Sequence, residues 1–349
     1  MIKKSAFFTL AFFIFSLLLI SCSGSSGDKL LMTGNDPNNS IYLHNTVCED
    51  ENYIYYGEYG AKNITRMNKK DMSVTELKYS GYNLNVYRNY LYFMAEKGGL
   101  YRVNLGEPDS EPELILAYSR DIYWIFEDKL YPLAFYSQVF QMNLDGSDKE
   151  SSGDISDFYY VVGNDDKYVY AIFRNDIEES TEFNGVPANL CYVSRMTYKD
   201  FKDNNMGTRE KLFKIYTYIW DDLSWYNFFM VISNGYAYYE MGYGDDIDNA
   251  HQEIIRNKLS VNAEREVIYQ IPDDERVNLI AVTEDGVYFK KFILGDYASY
   301  EIYVPNIKIS LDGKIQIELA YGDDCLFFVG RYDHKLRYIK DNQIFLAEE

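Results

Sequence analysis

Short apolar runs, each followed by a polar turn and a second apolar run, recur along most of the chain. The seven first runs span residues 43–47, 84–86, 122–126, 159–162, 228–232, 279–282 and 315–320. They show little polar alternation, which is typical of strands that are buried on both faces. A pattern that returns at a roughly fixed distance is the signature of a repeat architecture. We therefore predict seven repeated units, each beginning with a buried inner strand.

Turn residues and an aromatic anchor follow every predicted inner strand. The turns contain Asp50-Glu51-Asn52, Arg88-Asn89, Glu127-Asp128, Asp165-Asp166, Asn234-Gly235, Asp285-Gly286 and Asp323-Asp324. Asn, Asp and Gly accept the positive φ that two-residue hairpin turns require. The anchors are Tyr55, Tyr92, Tyr131, Tyr170, Tyr238, Tyr288 and Phe327. Four of the six intervals between anchors are 37 to 39 residues long, and the two longer ones need insertions. The shorter interval is close to the period of a four-stranded propeller blade.

The third strands repeat a short motif, which is TRMN at 65–68, YRVN at 101–104 and FQMN at 140–143. The segments YIYYGEYGAKNITRMNKKDMSVTEL, YLYFMAEKGGLYRVNL and VFQMNLDGSDKE resemble the repeats of bacterial propeller domains that are likened to the low-density-lipoprotein-receptor-related propeller. This resemblance covers residues 54–148 and implies a propeller without implying any catalytic residue. The predicted fold class is all-β, a β-propeller of seven four-stranded blades over residues 40–349. A long β-sandwich or two stacked β domains is the alternative.

The start of the chain has the features of an export signal. Lys3 and Lys4 precede an apolar run at 6–20, which ends in Leu19-Ile20-Ser21-Cys22. This run is short for a membrane span, which needs about 20 apolar residues, and it ends as a signal peptide does. The LISC ending resembles the bacterial lipobox, which implies removal of residues 1–21 and acylation of Cys22. An uncleaved anchor helix is the alternative, and both interpretations place the domain outside the cytoplasm.

A flexible tether is predicted between the lipid and the domain. Residues 22–39 contain Ser23-Gly24-Ser25-Ser26-Gly27, a Gly/Ser linker. We expect the domain at the outer face of the cell membrane, or at the outer membrane of a cell that has two. The membrane is thus one partner, reached through Cys22. A formal net charge of -20 disfavours nucleic acid as a ligand, because phosphate backbones are repelled.

Cysteine positions offer one covalent link for the fold. Cys48 and Cys325 lie in the first and last repeated units, which become neighbours when a ring closes. A disulfide between them would contribute about 4 kcal/mol, because the loop that it closes is long. The alternative is two small buried thiols. No cysteine–histidine spacing predicts a metal site, and no cofactor is expected.

The two long intervals place insertions on one side of the predicted ring. Residues 174–189 and 242–253 extend second-to-third-strand connections, and residues 217–226 join two units. Such connections share a face, because successive strands alternate in direction. The predicted ligand-binding residues on them are Trp220, Asp221, Asp222, Trp225, Asp245, Asp246 and Asp248. Tryptophan beside carboxylates suits sugar stacking or a basic peptide. The alternative is that both tryptophans turn inward and the acids are only solvated.

Two classes of function follow from this pattern. The first is a binding or interaction module that presents this face to a glycan, an envelope component or a protein partner. The second is a propeller enzyme that acts on glycans with carboxylates at the mouth of its central channel. No nucleophile elbow, HExxH, P-loop or GxGxxG motif occurs, so no catalytic residue is assigned. An enzyme should place two facing acids, or an acid and a histidine, at the channel mouth.

Overall fold

The computed structural model describes the chain between residues 46 and 347, with gaps. The described residues are 46–57, 63–95, 98–117, 123–126, 128–132, 139–151, 158–165, 167–173, 178–183, 186–203, 205–218, 230–243, 251–272, 275–293, 301–302, 306–311, 313–314, 316–319 and 325–347. The predicted signal peptide at 1–21, the lipidation site Cys22 and the tether at 22–39 lie outside them. In the described part of the chain, no helix has the length and apolar character needed to span a bilayer.

Antiparallel strands form seven small sheets in the described residues, which we number in chain order. Sheet one contains β1 (Val47–Glu49), β2 (Tyr53–Tyr56), β3 (Asn63–Asn68) and β4 (Val74–Ser80). Sheet two contains β5 (Tyr82–Tyr87), β6 (Tyr90–Met94), β7 (Leu100–Asn104) and β8 (Glu113–Leu116). Sheet three contains β9 (Tyr123–Phe126), β10 (Lys129–Pro132), β11 (Val139–Asn143) and β12 (Glu150–Ser151). Sheet four contains β13 (Phe158–Asn164), β14 (Tyr168–Phe173), β15 (Glu178–Phe183), β16 (Val186–Thr197) and β17 (Glu210–Tyr218).

The remaining three sheets follow in the same way, and a short helix α1 (Tyr198–Lys202) lies between β16 and β17. Sheet five contains β18 (Met230–Ser233), β19 (Tyr236–Tyr243), β20 (His251–Lys258) and β21 (Arg265–Gln270). Sheet six contains β22 (Glu275–Val282), β23 (Val287–Ile293), β24 (Glu301–Ile302), β25 (Asn306–Ile309) and β26 (Gln316–Leu319). Sheet seven contains β27 (Leu326–Val329), β28 (Leu336–Lys340) and β29 (Gln343–Leu346). The all-β class is therefore confirmed.

The first strands of neighbouring sheets pack against one another. β1 contacts β5, β13 contacts β18, β18 contacts β22, and β22 contacts β27. β27 also contacts β1, so the last sheet packs against the first. Apolar side chains fill this last junction, with Phe328 and Ile339 from sheet seven meeting Val47 and Met67 from sheet one. The arrangement of small sheets is propeller-like.

Six of the seven predicted anchors lie on second strands and belong to the core. They are Tyr55, Tyr92, Tyr131, Tyr170, Tyr238 and Tyr288, on β2, β6, β10, β14, β19 and β23, and all six are buried. Predicted turn residues precede these strands. Arg88, Asp128 and Asn234 have φ values of 54°, 62° and 51°, the left-handed region that tight hairpin turns use. The sequence period thus identifies the first and second strands of sheets one to six correctly.

The seventh unit is displaced by one strand from the prediction. Residues 315–320 do not begin sheet seven, because Gln316–Leu319 is β26 and pairs with β25 of sheet six. Phe327 therefore lies on β27, the first strand of sheet seven, and not on its second strand. The aromatic residue on the second strand is Tyr338 of β28. The extra strand β24, which pairs with β23, adds a fifth strand to sheet six.

Cys48 and Cys325 are buried thiols that do not form the predicted disulfide. Cys48 packs between sheets one and two, in a cluster with Tyr55 and Leu84. Cys325 packs between sheets six and seven, in a cluster with Tyr288. Sheets seven and one lie between these two junctions, which explains why the thiols do not meet.

Candidate functional site

All seven predicted ligand-binding residues lie outside the described residues. Trp220, Asp221, Asp222 and Trp225 fall within 219–229, and Asp245, Asp246 and Asp248 fall within 244–250. The described strands on either side form the scaffold from which both segments leave. β17 ends at Tyr218, and β18 begins at Met230. β19 and β20 meet at the Tyr243–His251 pair, from which residues 244–250 depart.

We use the name connection face for the side on which the sequence predicts residues 174–189, 217–226 and 242–253 to lie. The predicted insertion at 174–189 is more regular than a loop. β15 and the first half of β16 pair from Glu178–Leu190 to Phe183–Val186, and β17 pairs with the opposite edge of β16 as far as Ala188–Tyr218. Sheet four therefore continues as a three-stranded arm past the end of β14. The segment at 219–229 leaves from the end of β17 on this arm.

Polar side chains on the strands that flank residues 244–250 join sheet five to its neighbour. The Glu240 carboxylate accepts the Leu279 N–H, and Gln252 Oε1 accepts the Val277 N–H at 3.1 Å. Both donors lie on β22, so these bonds join sheet five to sheet six. Glu253, which is also buried, pairs with an Arg265 nitrogen at 3.0 Å. Sequence analysis missed these residues, because Asp and Glu are rarely buried and nothing in the repeat marks them.

A largely buried charged group, which we call the closure cluster, lies where sheets seven, one and two meet. It consists of Glu49, Lys69 and Arg331. Arg331 is only 3% exposed; its N–H donates to Glu49 Oε1, and its Nη1 donates to the Val86 carbonyl at 3.0 Å. Lys69 Nζ pairs with Glu49 Oε2 and lies 5.0 Å above the Tyr332 ring. Both oxygens of the Glu49 carboxylate are thus engaged at the junction that closes the ring.

The repeated third-strand motif is structural. Its arginine lies over a second-strand tyrosine, pairs with a fourth-strand glutamate and donates to a leucine carbonyl of the next sheet. The three sets are Arg102 with Tyr90, Glu113 and Leu144, Arg195 with Tyr168, Glu210 and Leu259, and Arg256 with Tyr236, Glu266 and Leu311. Gln141 takes this place in sheet three and donates to Glu150. In these three sets the arginine links neighbouring sheets.

The acidic turns are structural as well. Asp50 Oδ1 accepts the N–H groups of Asn52 and Tyr53 at 2.7 Å, and its Oδ2 accepts the Tyr55 hydroxyl at 2.9 Å. Asp165 makes the equivalent bonds in sheet four, including one from the Tyr170 hydroxyl. Burial raises the pKa of Tyr55 and of Tyr170 above the usual value, and the neighbouring aspartate raises it further. These carboxylates shape turns and hold the anchors.

The charges in the described part of the chain are therefore arranged for stability. The buried acids Glu49, Glu240 and Glu253 each accept a backbone N–H or pair with a cation. A catalytic carboxylic acid needs room to exchange its proton with a substrate, and partners occupy both oxygens of Glu49 instead. Within the same described residues, no group of three or more His, Cys, Asp or Glu side chains is placed to hold a metal ion.

Comparisons with known proteins identify no family. No protein-family model matches the chain, and no curated protein matches it either. The N-terminal domain of Nup159 is similar at 12% identity over 76% of this chain and 73% of that one, with a TM-score of 0.34. The computationally designed Ika8 protein is similar at 10% identity over 88% and 86%, with a TM-score of 0.32. These two neighbours are propeller-like and all-β.

A puromycin-hydrolyzing peptidase of Mycobacterium tuberculosis is also similar, at 11% identity and a TM-score of 0.31. The match covers 91% of this chain, but the chain spans only about half, 49%, of the peptidase. Likenesses this distant carry no information on activity, substrate or partner.

Proposed function

We propose that this protein is a lipid-anchored binding module. Its domain is a seven-bladed propeller, exported by a cleaved signal peptide and held outside the cytoplasm by acylated Cys22. Its connection face binds a glycan, an envelope component or a protein partner through Trp220, Trp225 and the neighbouring acids. The resemblance of residues 54–148 to bacterial propeller domains supports the fold assignment. Long segments on a rigid scaffold are where binding residues usually lie, which supports the choice of face.

One observation favours a binder over an enzyme. The buried carboxylates of the described residues are held by backbone N–H groups, Lys69 or Arg265, and the acidic turns are held by the anchors. A glycan-cleaving enzyme needs two carboxyl groups that face each other across a bond, roughly 5 to 10 Å apart. Glu49 faces the junction of sheets seven and one, whereas Glu240 faces the junction of sheets five and six, so these two buried acids do not face each other.

Replacing Cys22 with alanine should move the protein out of the membrane fraction. The thioether-linked lipid is the proposed anchor, and the tether alone has no affinity for a bilayer. The measurement is the share of protein recovered with membranes after cell lysis. Ser23→Ala keeps the acylated cysteine and should stay with the membranes. Equal membrane recovery of Cys22→Ala and wild type, with residues 1–21 still attached, would contradict the proposal.

Replacing both Trp220 and Trp225 with alanine should abolish ligand binding while the melting temperature stays nearly unchanged. The reason is that an exposed indole supplies stacking area without supporting the core. The soluble domain, begun after Cys22, is screened against a glycan array, isolated peptidoglycan and an array of basic peptides. Tyr332→Ala is the matched control, since Tyr332 is 51% exposed on the opposite side of the ring.

Three results would overturn this site. The double variant binds as tightly as wild type, or Tyr332→Ala loses binding equally, or the double variant loses its melting transition because both indoles are buried. Release of new reducing ends from an array glycan would instead support the alternative function, a propeller enzyme that cleaves glycans.

A further inference from the structure

The guanidinium of Arg331 is a buried charge whose donors are not all used. Arg331 follows β27, and its Nη1 donates to the Val86 carbonyl at 3.0 Å. Its Nη2 is buried and has no hydrogen-bond partner within the described structure. The guanidinium also forms no ion pair with a carboxylate of the described residues. Arg331 is only 3% exposed, and a charge buried to this extent is costly unless it is paired.

Largely covered arginines elsewhere in the fold have the usual arrangement. The Arg102 side chain is 13% exposed and pairs with the Glu113 carboxylate at 2.7 Å. The Arg256 side chain is 14% exposed and pairs with the Glu266 carboxylate at 2.8 Å. Arg331 differs from both, because a backbone carbonyl is the only acceptor of its side chain in the described structure.

The carboxylate nearest to Arg331 in the closure cluster is already engaged. Glu49 Oε1 accepts the Arg331 backbone N–H, and Glu49 Oε2 pairs with Lys69 Nζ. The closure cluster therefore holds two cations and one carboxylate, an excess of one positive charge in a chain whose formal net charge is -20. One further carboxylate would balance the cluster, whereas a dianion would reverse its charge.

The register of sheet two shows where the guanidinium lies. Tyr87 pairs with Tyr90 next to the two-residue turn between β5 and β6. Such a pair exchanges both hydrogen bonds, so Val86 at the next position directs its carbonyl away from β6. β5 is an edge strand of its sheet, so this carbonyl lies on a free edge. The free edges of first strands line the central channel in a propeller, which places the guanidinium on the channel side of sheet two.

The turn that carries Arg331 lies at the protein surface. Residues 332–335, which follow Arg331 in this turn, are all exposed. A small ligand therefore has only this turn to pass before it reaches the guanidinium. A carboxylate is the group that suits the site best, because its planar oxygens match the N–H donors of a guanidinium.

We propose that Arg331 binds one carboxylate group of a small ligand at the end of the channel where sheets seven, one and two meet. Nη2 donates to the carboxylate, while the Val86 carbonyl positions the guanidinium through Nη1. Glu49 holds the backbone of the turn through the Arg331 N–H. The ligand balances the charge of the closure cluster. This site shares no residue with the connection face, so it does not depend on binding there.

Sodium acetate tests the site in the soluble domain that begins after Cys22. At pH 7 acetate should raise the melting temperature by at least about 2 °C above that in sodium chloride of equal ionic strength, because a ligand of the folded state stabilises it. Saturation-transfer NMR should show the acetate methyl group in contact with the protein. Arg331→Met removes the donors and keeps most of the side-chain length, so it should lose both signals.

Arg256→Met is the matched control, because it removes a largely covered arginine that already has the Glu266 carboxylate. This variant should keep both acetate signals. Arg331→Lys replaces Arg331→Met if that variant folds poorly. It keeps the charge without the planar fork and should bind acetate at least about tenfold more weakly.

Four results would overturn the proposal. The wild type gives no acetate signal, or Arg331→Met keeps the signals, or Arg256→Met loses them as fully as Arg331→Met does. The fourth is an equal effect of sodium chloride, which means an adventitious ion only. A response to inorganic phosphate that exceeds the acetate response and disappears in Arg331→Met would overturn the carboxylate as the ligand class.

Discussion

Raising the pH from 9 to about 11 should unfold the domain in one cooperative step. The cause is a set of tyrosines whose hydroxyls the fold keeps from ionising. Burial raises the pKa of Tyr92 to about 12 and raises the pKa of Tyr55, Tyr123 and Tyr239 above the usual value of tyrosine. The unfolded chain releases these protons near pH 10, and the folded chain does not. The stability that these protonated tyrosines give the fold is therefore complete below pH 10. It is lost as the pH rises toward their pKa values in the folded state.

The expected loss is large against the stability of a domain. At pH 11 each of these four tyrosines favours the unfolded state by about 1.4 kcal/mol, or about 6 kcal/mol together. Domain stabilities are themselves about 5 to 15 kcal/mol. Far-ultraviolet circular dichroism and tyrosinate absorbance should change together in a pH titration. Smooth ionisation of all tyrosines near pH 10, with the circular dichroism spectrum unchanged, would contradict the claim that burial keeps these tyrosines protonated.

The Tyr123→Phe variant isolates one titrating group. Tyr123 is buried, and its hydroxyl donates to the Asn83 carbonyl at 2.7 Å. At pH 8 the variant should be less stable than wild type by about 1 kcal/mol, the usual contribution of one hydrogen bond. Near pH 11 the deficit should vanish or reverse. The unfolded wild type has then lost the Tyr123 proton and must take it up again on folding, which lowers its stability, whereas phenylalanine has no proton to take up. A deficit that stays constant with pH would show that Tyr123 ionises normally in the fold.

Replacing Glu49 with alanine should destabilise the domain by about 3 kcal/mol. The change leaves the Arg331 N–H without its acceptor and Lys69 without its partner at the closing junction. Loss of one member of a buried charged group is among the costliest single changes, although the partial exposure of Lys69 lowers the cost. The measurement is the shift of the urea unfolding midpoint. Glu49→Gln keeps an acceptor for the Arg331 N–H and should fall between alanine and wild type.

Glu113→Ala is the matched control for Glu49→Ala. Glu113 also pairs with a cation, Arg102, but its side chain is 56% exposed. Exposed ion pairs contribute about 1 kcal/mol or less. If Glu49→Ala costs no more than Glu113→Ala, the closure cluster does not hold the ring shut.

Local patterns in the sequence were enough to place most of the strands. A hairpin such as β5–β6 depends on neighbouring residues, so the turn at Arg88-Asn89 and the anchor Tyr92 mark it reliably. Sheet seven was misplaced because its second strand begins after a turn containing Gly330 and Asp333, with no Asn or Asp pair directly before the anchor. The apolar run at 315–320 resembles an inner strand, and only its pairing with β25 shows otherwise.

Residues that act between distant sheets could not be predicted in this way. Arg331 and Glu49 meet across 282 positions of sequence, and arginine and glutamate are usually exposed. The same holds for Glu240, whose partner Leu279 belongs to another sheet. The ligand-binding residues are predicted from their composition and position in the sequence, and the tryptophan experiment tests their role.

Spin-label distances between equivalent turns test the closed ring most directly. Glu51, Asn89 and Lys335 are exposed on the first-to-second-strand turns of sheets one, two and seven. Labels are attached in pairs to cysteines at these positions. If the ring is closed, the distance from Lys335 to Glu51 is short, narrowly distributed and similar to the distance from Glu51 to Asn89. A Lys335–Glu51 distance that is much longer, or broadly distributed while the Glu51–Asn89 distance stays narrow, would show that sheet seven does not pack against sheet one.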